Sequence, residues 1–456
     1  MDKFYVDDMS LRVKGDEDAV HDHSHLREHD FVLYTMDISY FSGKLEMYLK
    51  YKNISFERIE PHSEEHESIL SKNTGSEQLP QLYDCRDGTD EGKRWMRDTT
   101  PIIEHLEQDQ LISQNSLSIL PSCEVQRFFQ FLFEDYCDEF LWRPAMFWRW
   151  EPLFDREIMG LRFFYEFTRT QQSRYRFIPA FIRPYLASKR QWLLSSYGED
   201  CNTKEKKDVI INQYYELLDV LEKILKTQPY LFGNCPTLID FGFMGPMYKH
   251  FSSDPTPRKV MQQRAPAVYE WIGRLWNCKS DKINISSKFP KDNKLPDNWN
   301  ELLGLLPDYF DYYFLNAKAF SQGEKTFDWK FKGEACTVPV VPYRVWCRKE
   351  LQKKFYTCSD EAQQKISSIL QKHNCDINVL LSLHEDIIIE PECGTHPPFA
   401  VHPPPEQREV LSYKWDSSHI FTKYYTNLFK TGIITSGLIG VTLTGSYFLR
   451  QYLKKK

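Results

Sequence analysis

The hydrophobic period of this chain changes near residue 121. Before that point the apolar positions fall in short, mixed patterns. Residues 31–34 (Phe-Val-Leu-Tyr) form an unbroken apolar run of the kind a buried strand shows. Leu45, Tyr48 and Leu49 then recur at helical spacing, predicting a helix from Ser39 or Ser42 to about Lys52. Asn53-Ile54 turns the chain, residues 55–59 alternate like a strand, and Ile69-Leu70 sits in a shorter second helix. Residues 81–83 and 94–96 read as short strands, with Asp87-Gly88 and Glu91-Gly92 supplying the turn between them. Ile102, Ile103 and Leu106 give a closing helix, so the predicted order is β-α-β-α-β-β-α.

Beyond Pro121 the pattern is helical throughout. Phe128, Phe129, Phe131, Phe133 and Tyr136 form a long aromatic stretch interrupted by Glu134, Asp135, Asp138 and Glu139. Trp142, Arg143, Pro144, Trp148, Arg149 and Trp150 follow as a cationic-aromatic cluster. It either holds an anion or seals a domain boundary through cation–π contacts. A second long helix is predicted over 209–226, on the stripe Ile211, Tyr214, Leu217, Leu218, Leu221 and Leu225. Thr237 and Asp240 stand three apart where the next helix (240–250) begins, the spacing of a capping box. Further on, Leu302 to Tyr313 and Ala362 to Leu370 suggest two more helices, with strand-like residues at 337–341 between them. Pro397, Pro398, Pro403, Pro404 and Pro405 read as a stiff, extended linker.

Composition changes this picture in three places. The net charge of −6 removes the basic footprint expected of a nucleic-acid binder. Eleven scattered cysteines without a CxxC pair or zinc spacing read as reduced thiols in a cytosol-facing protein, with no metal site. Residues 1–29 are acidic and polar, read as a disordered tail without targeting character; His21, His23, His25 and His29 there are taken as incidental. The C-terminal region differs. Residues 431–449 carry no charge and are long enough for a bilayer core. Lys423 and Lys430 flank one side, and Arg450, Lys454, Lys455 and Lys456 the other. The expectation is a tail anchor with the folded part in the cytosol. A short, moderately apolar span with basic flanks favours the mitochondrial outer membrane over the endoplasmic reticulum or peroxisome.

The candidate chemistry centres on Gln78-Leu79-Pro80-Gln81 and on Arg97-Asp98-Thr99. With the β-α-β-α-β-β-α order these residues resemble the thioredoxin-like domain of a cytosolic glutathione transferase. Thr237-x-x-Asp240 after Phe232-Gly233 is similar to the start of the core helix in that family's all-helical second domain. The implied fold is α+β: a thioredoxin-like domain (30–108), an all-helical transferase domain (119–278), a mixed, mostly helical extension (279–412) and a tail-anchor region (413–456) with its transmembrane helix at 431–449. The resemblance implies that Leu79, before a cis-Pro80, offers its backbone to the cysteinyl part of glutathione. It implies that Asp98-Thr99 binds the γ-glutamyl end and that Gln78 reaches a carboxylate. Ser39 aligns with the thiol-activating position, with Ser42 and Tyr34 as alternatives. A helix N-terminus there would favour the thiolate. Phe129, Phe133 and Tyr136 are the expected walls of a hydrophobic substrate site, their other reading being ordinary core.

Two functions follow from the resemblance. One is conjugation of glutathione, as co-substrate and with no other cofactor, to a hydrophobic electrophile, or reduction of a peroxide, at a membrane surface. The other is a non-catalytic membrane adaptor in mitochondrial import or organelle morphology, as in metaxins and ganglioside-induced differentiation-associated proteins. The expected partners are glutathione, an electrophile, membrane lipid through the C-terminal helix and, from the family's habit, a second copy of the chain.

Overall fold

The short apolar run at Phe31–Tyr34 becomes β1, and it is central because both its faces are buried. The computed structural model describes residues 29–61, 65–89, 91–113, 117–168, 178–179, 181–194, 202–283, 294–382 and 398–399, all within one compact unit, Met1–His402. β1 pairs in parallel with β2 (Phe56–Ile59) and antiparallel with β3 (Gln81–Asp84), which carries β4 (Trp95–Arg97) on its far side. The sheet order is β2-β1-β3-β4. The strand pleat sends Val32 and Tyr34 to one face, where they meet Ile69 and Leu70. Those two belong to α2, a wide-turned segment His66–Ser71 continued by Lys72–Thr74. α1 (Tyr40–Tyr51) and α3 (Thr99–Gln108) complete a thioredoxin-like domain, and the Leu79-Pro80 peptide is cis.

The helical half opens with α4 (Glu124–Asp135, continued by a wide turn Tyr136–Phe140) and α5 (Trp142–Trp150). α6 (Leu153–Thr168), α7 (Arg183–Leu194) and α8 (Lys204–Leu225) follow, α8 beginning five residues before the predicted start at 209 because Thr203 caps it. α9 (Leu238–Pro246, continued as Met247–Phe251) starts on the expected capping box. The Asp240 carboxylate accepts from the Thr237 N–H at 3.0 Å and from the Trp271 indole at 3.1 Å. α10 (Pro255–Arg264) and α11 (Pro266–Trp276) close this half. Gly242 lets α9 lie directly against α4: a Cβ there would stand 3.0 Å from the Glu134 Cα.

The extension is folded onto the other two parts. α12 (Pro307–Ser321) packs against a hairpin, β5 (Thr326–Phe331) and β6 (Glu334–Pro339). Of this pair the sequence suggested only the second strand. α13 (Pro342–Tyr356), α14 (Asp360–Lys372) and α15 (Ile377–Leu381) follow. Pro398 and Phe399 of the proline-rich stretch lie along β4: the Arg97 N–H donates to the Pro398 carbonyl at 3.0 Å, and Phe399 bridges to Met96. That pair therefore caps a sheet edge, where a stiff, extended linker was expected. Among the described residues no helix is long and apolar enough to cross a membrane. The run at 431–449, His21, His23, His25, Pro397 and Pro403 to Pro405 lie outside the described residues.

Candidate functional site

A cleft opens where the loop before β3, the end of β4 and the C-terminal end of α4 meet the first turn of α13. One wall holds Gln78, Leu79 and Pro80, the floor Arg97, Asp98 and Thr99, and the far wall Asp138 and Glu139. Tyr343 and Trp346 of α13 close the top. Gln81 fixes the first wall: its amide Nε2 donates to the Ser76 carbonyl at 2.8 Å and to the Gln78 carbonyl at 3.1 Å. Leu79 lines the cleft and makes no hydrogen bond through its own N–H or C=O among the described residues.

Asp98 precedes the first residue of α3 with φ 72°, a left-handed conformation that is costly for a residue with a Cβ. That conformation turns its carboxylate away from the helix end it would otherwise cap and into the cleft. There it accepts a hydrogen bond from the Tyr343 hydroxyl at 2.6 Å. Burial pushes the Asp98 carboxyl up to about 6, while the Tyr343 donor and the charge of Lys44 pull the other way. Beside it Arg97 is buried, and its guanidinium has neither a hydrogen-bond nor an ion-pair partner among the described residues. Its Nε is fully buried without a partner, a cost that an anion accepting from the guanidinium would offset.

A second set of charges lies under the far wall. Lys44, fully buried on α1, pairs with Glu134 and with Asp138 at 2.5 Å and donates to the Thr100 hydroxyl at 3.2 Å. The two carboxylates outweigh the cost of burial and hold Lys44 protonated. The other Asp138 oxygen is buried without a hydrogen-bond partner among the described residues. Arg344 of α13 reaches the Glu139 carboxylate at 2.9 Å, and the Tyr309 hydroxyl donates to Asp135 at 2.5 Å, with Tyr313 donating to the same oxygen. The carboxylates that interrupt the aromatic helix are thus the anchors of the extension and the acidic wall of the cleft.

The expected site residues divide. Gln78, Leu79, Pro80, Asp98 and Thr99 line one cleft. The three hydroxyl candidates do not line it; Phe41 is the α1 residue that does. The Ser39 oxygen caps α1, accepting from the Ser42 N–H at 3.4 Å, and the residue is only half-buried. Ser42 is fully buried, its oxygen accepting from the Met36 N–H. Tyr34 stacks on Trp95 in the core beneath the sheet, and burial raises its hydroxyl pKa, the wrong direction for stabilising a thiolate. Phe129, Phe133 and Tyr136 form no substrate wall. They are buried, with Phe133 against Trp299 and Tyr136 against Tyr309, because the extension covers the face that the short pattern left free.

The cationic-aromatic cluster also seals interfaces. The Arg149 guanidinium forks onto Asp254 at 2.9 Å and donates to the Ile38 carbonyl of the sheet domain at 2.6 Å. Arg143 stacks over Trp329 and Phe331 of the extension hairpin. Lys44 and Tyr343 were missed in the sequence, and Arg97 stood in the motif beside Asp98-Thr99 without a role of its own. Lys44 carried a signal, since a lysine between Tyr40 and Tyr48 on a buried helical stripe needs a charged partner. Tyr343 carried none.

Comparison with known proteins fits this geometry. Residues 33–111 match the glutathione S-transferase N-terminal domain, and residues 185–277 match the glutathione S-transferase C-terminal domain. The first match falls in the thioredoxin-like half and the second in the helical half. The cleft lies within the first of them, walled by residues of α4 and α13 that neither match covers. Similar solved structures include the beta-etherase LigF from Sphingobium sp. strain SYK-6, 20% identical over 56% of this chain and 97% of its own, TM-score 0.38. The Tau class glutathione S-transferase MiGSTU from mango, Mangifera indica L., is 16% identical over 54% of this chain and 89% of its own, TM-score 0.34. FzlA from C. crescentus is 16% identical over 59% and 97%, TM-score 0.34. No curated protein matches the chain. Likenesses this distant say nothing of activity.

Proposed function

We propose that the cleft binds glutathione and that the protein acts as a glutathione transferase-like enzyme on a hydrophobic electrophile or peroxide. One observation carries the reading: the unbonded backbone groups of Leu79, the unpaired Arg97 guanidinium and the Asp98 carboxylate converge on one cleft. Glutathione carries two carboxylates, an α-ammonium and a peptide backbone, which are the complements of those groups. Asp98 takes the ammonium, Arg97 a carboxylate, and Leu79 the cysteinyl peptide. Of the three hydroxyls, none of which lines the cleft, we assign Ser39 to the thiol because it is half-buried at the N-terminus of α1, two residues before Phe41, which does line it. Trp346 and Phe41 supply the apolar surface for the electrophile in place of Phe129, Phe133 and Tyr136.

The adaptor reading has its own supporting observation, because the Tyr343 hydroxyl already occupies an oxygen of Asp98 and α13 covers the cleft. In that reading the transferase pair is a scaffold, and the apolar run at 431–449 anchors it to the mitochondrial outer membrane. Calorimetric titration of glutathione into a chain ending at His402 separates the two. Binding that Asp98→Ala and Arg97→Met each weaken by about tenfold or more supports the enzyme, as expected for lost charge-assisted contacts. A folded chain that takes up no glutathione, even as Tyr343→Phe, sinks it.

A further inference from the structure

A second cavity adjoins the cleft, and the two share a wall: Asp98, Asp138, Glu139, Tyr343 and Trp346 line both. The second cavity is bounded by α3, α4 and α13 and takes in Phe131, Leu351, Glu104 and Glu350. Its lining is acidic, with seven carboxylates and one cation, Lys354. Four of the acids, Glu134, Asp135, Asp138 and Glu139, come from the C-terminal end of α4, where spacings of three and four group them on one side.

The protein's own cations do not balance these acids. Glu104 pairs with Lys354 at 2.9 Å, Glu139 with Arg344 at 2.9 Å and Glu350 with Lys353 at 2.5 Å, while Glu134 and Asp138 share the single charge of Lys44. Asp98 and Asp135 accept from tyrosine hydroxyls and have no ion-pair partner among the described residues. Seven acids therefore meet four cations. Asp138 is only 7% exposed, and its Oδ1 has no hydrogen-bond partner. A buried carboxylate oxygen without a donor is costly, and a cationic donor offsets that cost. Burial and neighbouring negative charge push Asp135 up to about 8 and Asp98 up to about 6, and they raise Glu104 and Glu139 as well. The same wall already holds one ammonium: Lys354 lies 4.4 Å over the Phe131 ring while paired with Glu104.

We propose that this cavity binds an organic ammonium ion, and that the electrophile taken up beside it carries one. The acids are spread along the wall, and among the described residues no three of them are grouped to hold a metal ion. An ammonium on an apolar stem suits that spread, with Phe131, Trp346 and Leu351 facing the stem. As a statement about the substrate the inference rests on the glutathione reading; as a statement about binding it does not.

The test is calorimetric titration of the full chain with phenethylammonium and with 2-phenylethanol, a neutral molecule of the same shape, each with and without glutathione. The ammonium should bind about tenfold or more tightly than the alcohol, as a charge-assisted contact requires. Its binding at pH 7 should release protons, read by comparing buffers of different ionisation enthalpy, because carboxyls raised by burial ionise against a cation. Glu350→Lys should abolish the preference and Asp138→Asn should reduce it, circular dichroism showing that each variant is folded. Glu350 is partly exposed, so its variant keeps the test decisive if Asp138→Asn does not fold. Equal binding of ammonium and alcohol, or binding of neither, overturns the proposal, as does a preference that folded Glu350→Lys retains. Ammonium binding without glutathione binding would remove the glutathione reading and leave this site standing; the reverse would remove this site alone.

Discussion

Asp98 shows how far one side chain's chemistry depends on a distant residue. Its neighbour Tyr343 lies 245 positions away and donates at 2.6 Å. Burial sets the carboxyl at about 6, so the ionised form that would take an ammonium is lost as pH falls through that value. Glutathione affinity should therefore drop between pH 7 and pH 5. Because the Tyr343 bond pulls the carboxyl down, Tyr343→Phe should move the midpoint of that drop upward, which calorimetry across pH would read. The sign for stability is opposite. A carboxyl raised on folding contributes stability that is full below its unfolded value and is lost as pH rises through about 6. Chemical denaturation at pH 5 and pH 7 that shows Asp98→Asn reducing this difference would agree with that sign.

At the scale of elements the decisive feature is how closely α9 approaches α4. Gly242 permits it, and the Gln130 side chain joins the two by accepting the Ile239 N–H at 2.9 Å. Replacing Gly242 with Ala places a methyl against the Glu134 backbone, which cannot move as a flexible side-chain end would. The expected cost is about 1–3 kcal/mol of stability by denaturant titration, with Gly273→Ala, which meets nothing, as the neutral comparison. Helix identity was legible in the sequence because it rests on local periodicity and on caps such as Thr237 and Asp240. Strand β5 was not, because Thr326–Phe331 alternates over six residues next to charged turns and gains its buried side only from distant residues, Tyr312 of α12 with Phe140 and Arg143. The wide turns ending α4 and α9 likewise have no local signature.

For the whole molecule, the extension is part of the core. Phe133 and Tyr136 are sealed by Trp299 and Tyr309, Phe128 by Phe355, and Lys354 pairs with Glu104 of α3 at 2.9 Å. A chain ending at residue 283 would expose several large aromatics, each worth about 1.5–3 kcal/mol of burial. It should aggregate or bind a hydrophobic dye, whereas a chain ending at His402 should unfold in one cooperative transition. Equal behaviour of the two would mean that the extension is dispensable.

By itself the sequence determined the order of elements in the thioredoxin-like half, the helical character of the second half and the capping box at Thr237. Each depends on spacing along the chain, which local backbone geometry converts directly into structure. Only the tertiary structure decided which face of the aromatic helix is core, that Tyr34 and Ser42 are buried, that Arg97 stands unpaired and that Tyr343 reaches Asp98. Those outcomes depend on contacts between residues tens to hundreds of positions apart. A side chain's pattern says that it needs a partner, but packing alone says which partner it finds.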